Sequence, residues 1–114
     1  MAITLTGGTA TISTTEYYLA SNSTTATAQT TTCAVQLFLD LSAMQAGDTY
    51  TLKWTEKVNA GTRRQFVATV TFTDAQTTPN YSSLQYIVGE GWEVSLTRTA
   101  GTDRSISWSL RTVA

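Results

Sequence analysis

Residues 99–110 read TAGTDRSISWSL, and within them Ser105, Ser107 and Ser109 alternate with Ile106, Trp108 and Leu110. A period of two belongs to a strand, whose successive side chains point to opposite faces, whereas a helix would mix the two sets. The three bulky groups therefore fill a core from one side of a strand, and the three hydroxyls face water on the other.

The same period recurs along the chain. Cys33–Leu41 places Cys33, Val35, Leu37, Leu39 and Leu41 on one face, and Ala34, Gln36, Phe38 and Asp40 on the other. Tyr50, Leu52 and Trp54 alternate with Thr51, Lys53 and Thr55. The pattern predicts a return strand over 64–73, with Phe66, Ala68, Val70 and Phe72 inward and Val67, Thr69, Thr71 and Thr73 outward. Shorter strands are expected at 2–6, 9–13, 84–88 and 92–99, the last with Val94 and Leu96 inward. Residues 16–20 (EYYLA) are read as a continuation of the second of these after a bend.

Turn chemistry fills the gaps. Gly7–Gly8 is read as a turn, Ser42–Gly47 as one helical turn, and Asn59–Thr62 as a hairpin using Gly61 at positive φ. Ala60-Gly61-Thr62 and Ala100-Gly101-Thr102 echo each other and are read as two hairpins with the same turn chemistry. Residues 74–83, with the only proline, Pro79, read as a surface loop. Residues 21–32 (SNSTTATAQTTT) hold no large apolar side chain and read as a Thr/Ser-rich loop, an exposed edge strand being the alternative. Seven or eight antiparallel strands at about ten-residue spacing predict an all-β fold. It is a single-domain antiparallel β-sandwich (jelly-roll or Ig-like) over residues 1–114, with a small β-barrel as the alternative. Residues 1–8 are an N-terminal arm in this reading.

Composition agrees. The chain holds 25 Thr and 10 Ser in 114 residues, and only 13% of its residues are charged. Thr is β-branched and suits a pleated, half-exposed surface. The net charge is −1, and seven basic residues are scattered among eight acids. That excludes a nucleic-acid partner, which requires clustered Lys and Arg against phosphate. No apolar run spans a bilayer and the N-terminus lacks the pattern of a leader, so the reading has no membrane partner and a chain made in the cytoplasm.

Chemistry is scarce. The chain has no histidine, which removes Ser-His-Asp and Cys-His nucleophile pairs and most zinc sites. Cys33 is the only cysteine, and it is read as a small buried hydrophobe. Carboxylate pairs of the glycosidase kind have three candidates: Asp40 with Asp48, Glu90 with Glu93, and Asp103 beside Arg104. The Glu90–Glu93 pair flanks Trp92 and is read as charge that keeps a strand entrance soluble. No catalytic residue, metal or cofactor is therefore expected. The unexplained side chains are apolar ones outside the expected core: Phe38, Val67, Tyr81, Ile87 and Trp92, which form the candidate interface.

The segment LDLSAMQAGDTYTLKWTEKV and the closing LTRTAGTDRSISWSLRTV resemble small all-β virion structural proteins of tailed bacteriophages, the head decoration and cement proteins. Asp40, Leu41, Ser42, Ala46, Gly47, Asp48, Thr99, Gly101, Thr102, Arg104 and Trp108 carry the resemblance, which covers residues 37–113. It implies a non-enzymatic structural protein of a phage particle that binds and stabilises the head lattice. Its partner would be the major capsid protein or another virion protein, its location the virion, and a homo-oligomer is compatible with it. The rival expectation is a tail-associated module that binds host-surface carbohydrate, stacking sugars on Tyr81, Tyr86 or Trp92.

Overall fold

The computed structural model describes residues 2–27 and 29–114; Met1 of the expected arm and Ala28 of the expected loop lie outside them. The strands are β1 Ile3–Ile12, β2 Tyr17–Tyr18, β3 Cys33–Asp40, β4 Thr49–Glu56, β5 Arg64–Gln65, β6 Val70–Thr73, β7 Asn80–Ser82, β8 Tyr86–Val88, β9 Glu93–Ala100 and β10 Arg104–Val113. They form two antiparallel sheets. One runs β1-β10-β3 and ends in β7 and β8, which both pair with β3; the other runs β2-β9-β4 and ends in β5 and β6, which both pair with β4.

Each split end is one strand interrupted by a bulge. Leu52 faces Val70 and Thr55 faces Gln65, so three steps along β4 meet five along its partner. Val35 faces Tyr86 and Phe38 faces Ser82, so three steps along β3 meet four. Counting each split strand once leaves eight positions in two sheets of four, and each sheet draws strands alternately from the two halves of the chain. That order is the jelly-roll arrangement, and the sheets do not close into a barrel.

The alternation in TAGTDRSISWSL does what its period demands. Ile106, Trp108 and Leu110 are buried, as are Val35, Leu37 and Leu39 on β3. Across the sandwich they meet Tyr50, Leu52, Trp54, Val94 and Leu96. Burying one such side chain stabilises the fold by roughly 1.5–3 kcal/mol. Cys33 is buried among them. Edge-on aromatic pairs close one side of the sandwich: Trp54–Tyr86 with ring centroids 5.0 Å apart, and Phe72–Tyr81 at 4.9 Å.

Several sequence expectations are corrected. Gly7–Gly8 is not a turn, because β1 runs unbroken past it with all ten residues in register on β10. A Cβ on Gly8 would sit 3.1 Å from the Trp108 ring, and one on Gly7 would collide with the Trp108 carbonyl oxygen. These glycines permit close approach; they do not bend the chain. Residues 3–8 are accordingly a paired strand and not an arm. EYYLA does not continue β1 but crosses to the other sheet, where Tyr17 faces Leu96.

Residues 64–73 are not an unbroken strand. The extra residues at 66–69 leave Ala68 exposed while Phe66 packs edge-on against Trp54. Ser42–Gly47 forms two tight turns with no helical turn, because the Asp48 carboxylate accepts the Gln45 N–H at 2.9 Å. The hairpin after β4 turns through Asn59 (φ 49°) and Ala60 (φ 61°), not Gly61, with Gly61 N–H donating to the Val58 carbonyl at 3.1 Å. Two successive positive φ angles define a type I′ turn. Gly101, by contrast, does adopt positive φ (89°), so the two Ala-Gly-Thr segments do not share turn chemistry. Residues 74–83 form a loop only as far as Pro79, after which β7 begins.

Candidate interaction surface

Residues directly opposite across a sheet share a face, so the register reads out the surface row by row. On the outer face of the β1-β10-β3 sheet, Ile3 faces Val113, Val113 faces Ala34, and Ala34 faces Ile87. This row is apolar from one edge of the sheet to the other. Ile87 is 85% exposed and Ile3 64%. The next row is Leu5, Arg111 and Gln36, with Leu5 65% exposed. Beyond it lie Gly7, Ser109, Phe38 and Ser82, then Thr9, Ser107, Asp40 and Asn80.

Arg111 organises the middle of this face. Its guanidinium lies 3.7 Å from the centroid of the Phe38 ring, a cation–π contact that covers the phenyl group. It separates two shallow grooves. One, of about 280 Å³, is lined by Phe38, Asp40, Asn80, Ser107 and Ser109. The other, of about 220 Å³, is lined by Ile3, Ala34, Gln85 and Val113. Asp40 is engaged locally: the Ser42 hydroxyl, followed by the Ser42 N–H that one carboxylate oxygen accepts at 3.0 Å, holds its carboxyl below the usual range.

The structure brings Phe38 and Ile87 together on this face and removes the other three interface candidates from it. Trp92 is only 4% exposed, its indole N–H donating to the Thr31 carbonyl at 3.2 Å beneath the 21–32 loop. Tyr81 turns inward opposite Leu39 and packs on Phe72. Val67 lies half-buried in the bulge of the other sheet, against the core. The sugar-stacking platforms of the rival reading are thus occupied by the protein itself: Trp92 is buried, and Tyr86 stands edge-on between Trp54 and Phe66.

Asp48 and Glu93 are likewise taken up in structural contacts. Buried Asp48 accepts from Arg104 Nε at 2.8 Å, the Thr102 N–H at 3.0 Å and the Gln45 N–H. The Arg104 guanidinium, followed by those backbone donors, holds its carboxyl down at about 2. A Cβ on Gly101 would collide with Asp48, so Gly101 is required there for space as well as for φ.

Glu93, expected at an exposed strand entrance, is fully buried instead. Its Oε1 accepts the Ala20 N–H at 3.1 Å and the Val94 N–H at 2.9 Å, and its Oε2 accepts the Ser21 hydroxyl at 2.5 Å. Burial pushes its carboxyl up, against these hydrogen bonds. Ser21 also contacts Thr27, so Glu93 ties down the start of the 21–32 loop. That segment is a loop with two isolated bridges, at Ser23 and Gln29. Glu90, Glu93 and Trp92 therefore do not form a common site. Among the described residues no three His, Cys, Asp or Glu side chains come together.

Ile3, Leu5 and Val113 were not legible as surface residues without the register, although the alternation of 33–41 already placed Ala34 opposite the core face. The signal was the apolar alternation of ITL at one end and RTV at the other, which becomes a row only once β1 is laid on β10. No protein family, curated protein or solved structure matches this chain.

Proposed function

We propose that this protein is a non-enzymatic structural module that docks on a phage head as a decoration or cement protein, through the outer face of the β1-β10-β3 sheet. The observation that carries the reading is the row Ile3–Val113–Ala34–Ile87, apolar across four strands, with Ile3 and Ile87 exposed and Val113 and Ala34 half-buried between them. Covering such a row removes apolar surface from solvent, and a flank with few charges keeps the desolvation penalty small. Jelly rolls are a recurrent architecture of capsid and lectin domains, which is support by analogy of fold alone. The sequence resemblance supports the same role. Clamping adjacent capsid subunits would oppose the outward pressure of packaged DNA, and repetition across a lattice turns a modest single-site affinity into stable decoration.

The test is co-sedimentation of purified protein with mature heads of the phage whose genome carries the chain. The reading expects saturable binding at a fixed ratio to capsid subunits and a higher head-disruption temperature. Protein that stays in the supernatant at every concentration overturns it.

A further inference from the structure

The two sheets have four edges, and three are protected. β2 is two residues long, and the turn back to Ser23 covers it. The β5/β6 edge is broken by the extra residues between Gln65 and Val70. The β7/β8 edge follows Pro79 and is broken at Ser83, whose hydroxyl takes the place of a ladder carbonyl by accepting the Leu37 N–H at 2.9 Å. Short strands, bulges and proline are the usual devices against unwanted strand pairing.

β1 has none of these. It is ten residues long, ITLTGGTATI, with no proline and no charged residue, and it keeps unbroken register with β10. Half of its backbone N–H and C=O groups point away from β10 along an edge of about 33 Å. At the outer face this edge ends in exposed Ile3 and Leu5, where the apolar row reaches it.

We infer that β1 pairs with β1 of a second copy of this chain, antiparallel about a two-fold axis perpendicular to the sheet. Such an axis keeps outer face with outer face, and every outward donor on one copy meets the equivalent acceptor on the other. Centring the axis on Gly7 engages residues 3–11 of both copies and sets Gly7 against Gly7, Leu5 against Thr9 and Ile3 against Thr11. A charge in this strand would face side chains of the second copy across the axis; the strand carries none. The pairing joins the two sheets into one of eight strand positions and aligns both apolar rows on a single surface. It is independent of the docking role, because it requires no particle.

Sedimentation equilibrium of the full chain from about 1 to about 200 μM, with no heads present, tests it. The mean mass should rise from 12.3 kDa toward twice that value and stop there. Amide exchange in β1 should slow over the same range. The double variant Leu5→Glu, Thr9→Glu sets two carboxylate pairs directly opposite each other across the axis, on side chains already in solvent and with position 5 facing Arg111 of its own copy. It should remain at 12.3 kDa with unchanged circular dichroism and melting temperature. A wild-type chain monomeric throughout, growth beyond a dimer, or a dimer whose β1 exchange ignores concentration each overturns the pairing. Should the variant fail to fold, the wild-type mass and exchange decide the question. Protection of β1 that arises only on heads would assign the edge to a foreign strand, and so also overturns it.

Discussion

The two outer faces of this sandwich are built by the same alternation and end up chemically unlike. On the β1-β10-β3 sheet the outward positions include Ile3, Val113, Ala34 and Ile87 in one row. On the β2-β9-β4 sheet they include Thr71, Thr51 and Thr97 in one row, and Tyr18, Ser95 and Lys53 in another. In the second row Glu16 accepts from Ser95 and from Tyr18 and pairs with Lys53 at 3.4 Å. Hydroxyls on a pleated surface are already well solvated, and covering them gains little. An exposed isoleucine gains about 25 cal/mol for each Å² removed from water. Fold supplies two outer surfaces; side-chain choice gives only one of them a continuous apolar row.

Changing one residue on each face breaks the comparison most sharply. On the proposed docking role, Ile87→Asp should weaken head binding by about a hundredfold, since it would bury an unpaired charge in the contact, whereas exposed Thr71→Asp should leave binding within about threefold. Paired isotherms on the same head preparation read both. Next in size is the support of the apolar face: Gly8→Val forces a side chain into the Trp108 ring and should cost about 2 kcal/mol in urea unfolding. Thr71→Val on the threonine face should stay within about 0.5 kcal/mol of wild type.

The buried carboxylates sharpen the comparison through pH, and their signs are opposite. Asp48 titrates at about 2 in the folded chain against 3.8 as its ordinary value, so its stabilising contribution is complete above pH 4 and is lost as pH falls toward 2. Glu93 is pushed up from 4.5, so its contribution is fullest below that pH and declines as pH rises through its folded value. The Ser21 hydroxyl has one proton and two acceptors, Thr27 O and Glu93 Oε2. In Glu93→Gln the amide can donate to Ser21 Oγ and free that proton for Thr27. This variant should gain about 0.5–1 kcal/mol at pH 7 and flatten the decline above pH 4.5. Thermal melts from pH 2 to 8 on both proteins check it. Smallest is Ala60→Gly, which relieves a positive φ at a turn belonging to neither face and should gain about 0.5 kcal/mol.

The architecture was legible because its signal is local. Ile106, Trp108 and Leu110 declare their face within seven residues, and so do Tyr50, Leu52 and Trp54. What escaped depends on which strand lies beside which. Gly7–Gly8 looks like a turn until the Trp108 ring is seen beneath it. Glu93 and Trp92 look exposed until the 21–32 loop folds over them. Phe38 and Ile87 could be named as apolar residues on outward positions, but their companions Ile3 and Val113 join them only across strands about a hundred residues apart in the chain. The Asp48 hub was hidden for the same reason, since Arg104 reaches it from 56 residues further along the chain.

The proposed docking face is tested most directly by hydroxyl-radical footprinting of the protein alone and mixed with mature heads. Protection confined to Ile3, Leu5 and Ile87, with Tyr18 on the opposite sheet labelled equally in both states, is the predicted pattern. Protection of Tyr18 with those three residues still open to labelling would contradict it.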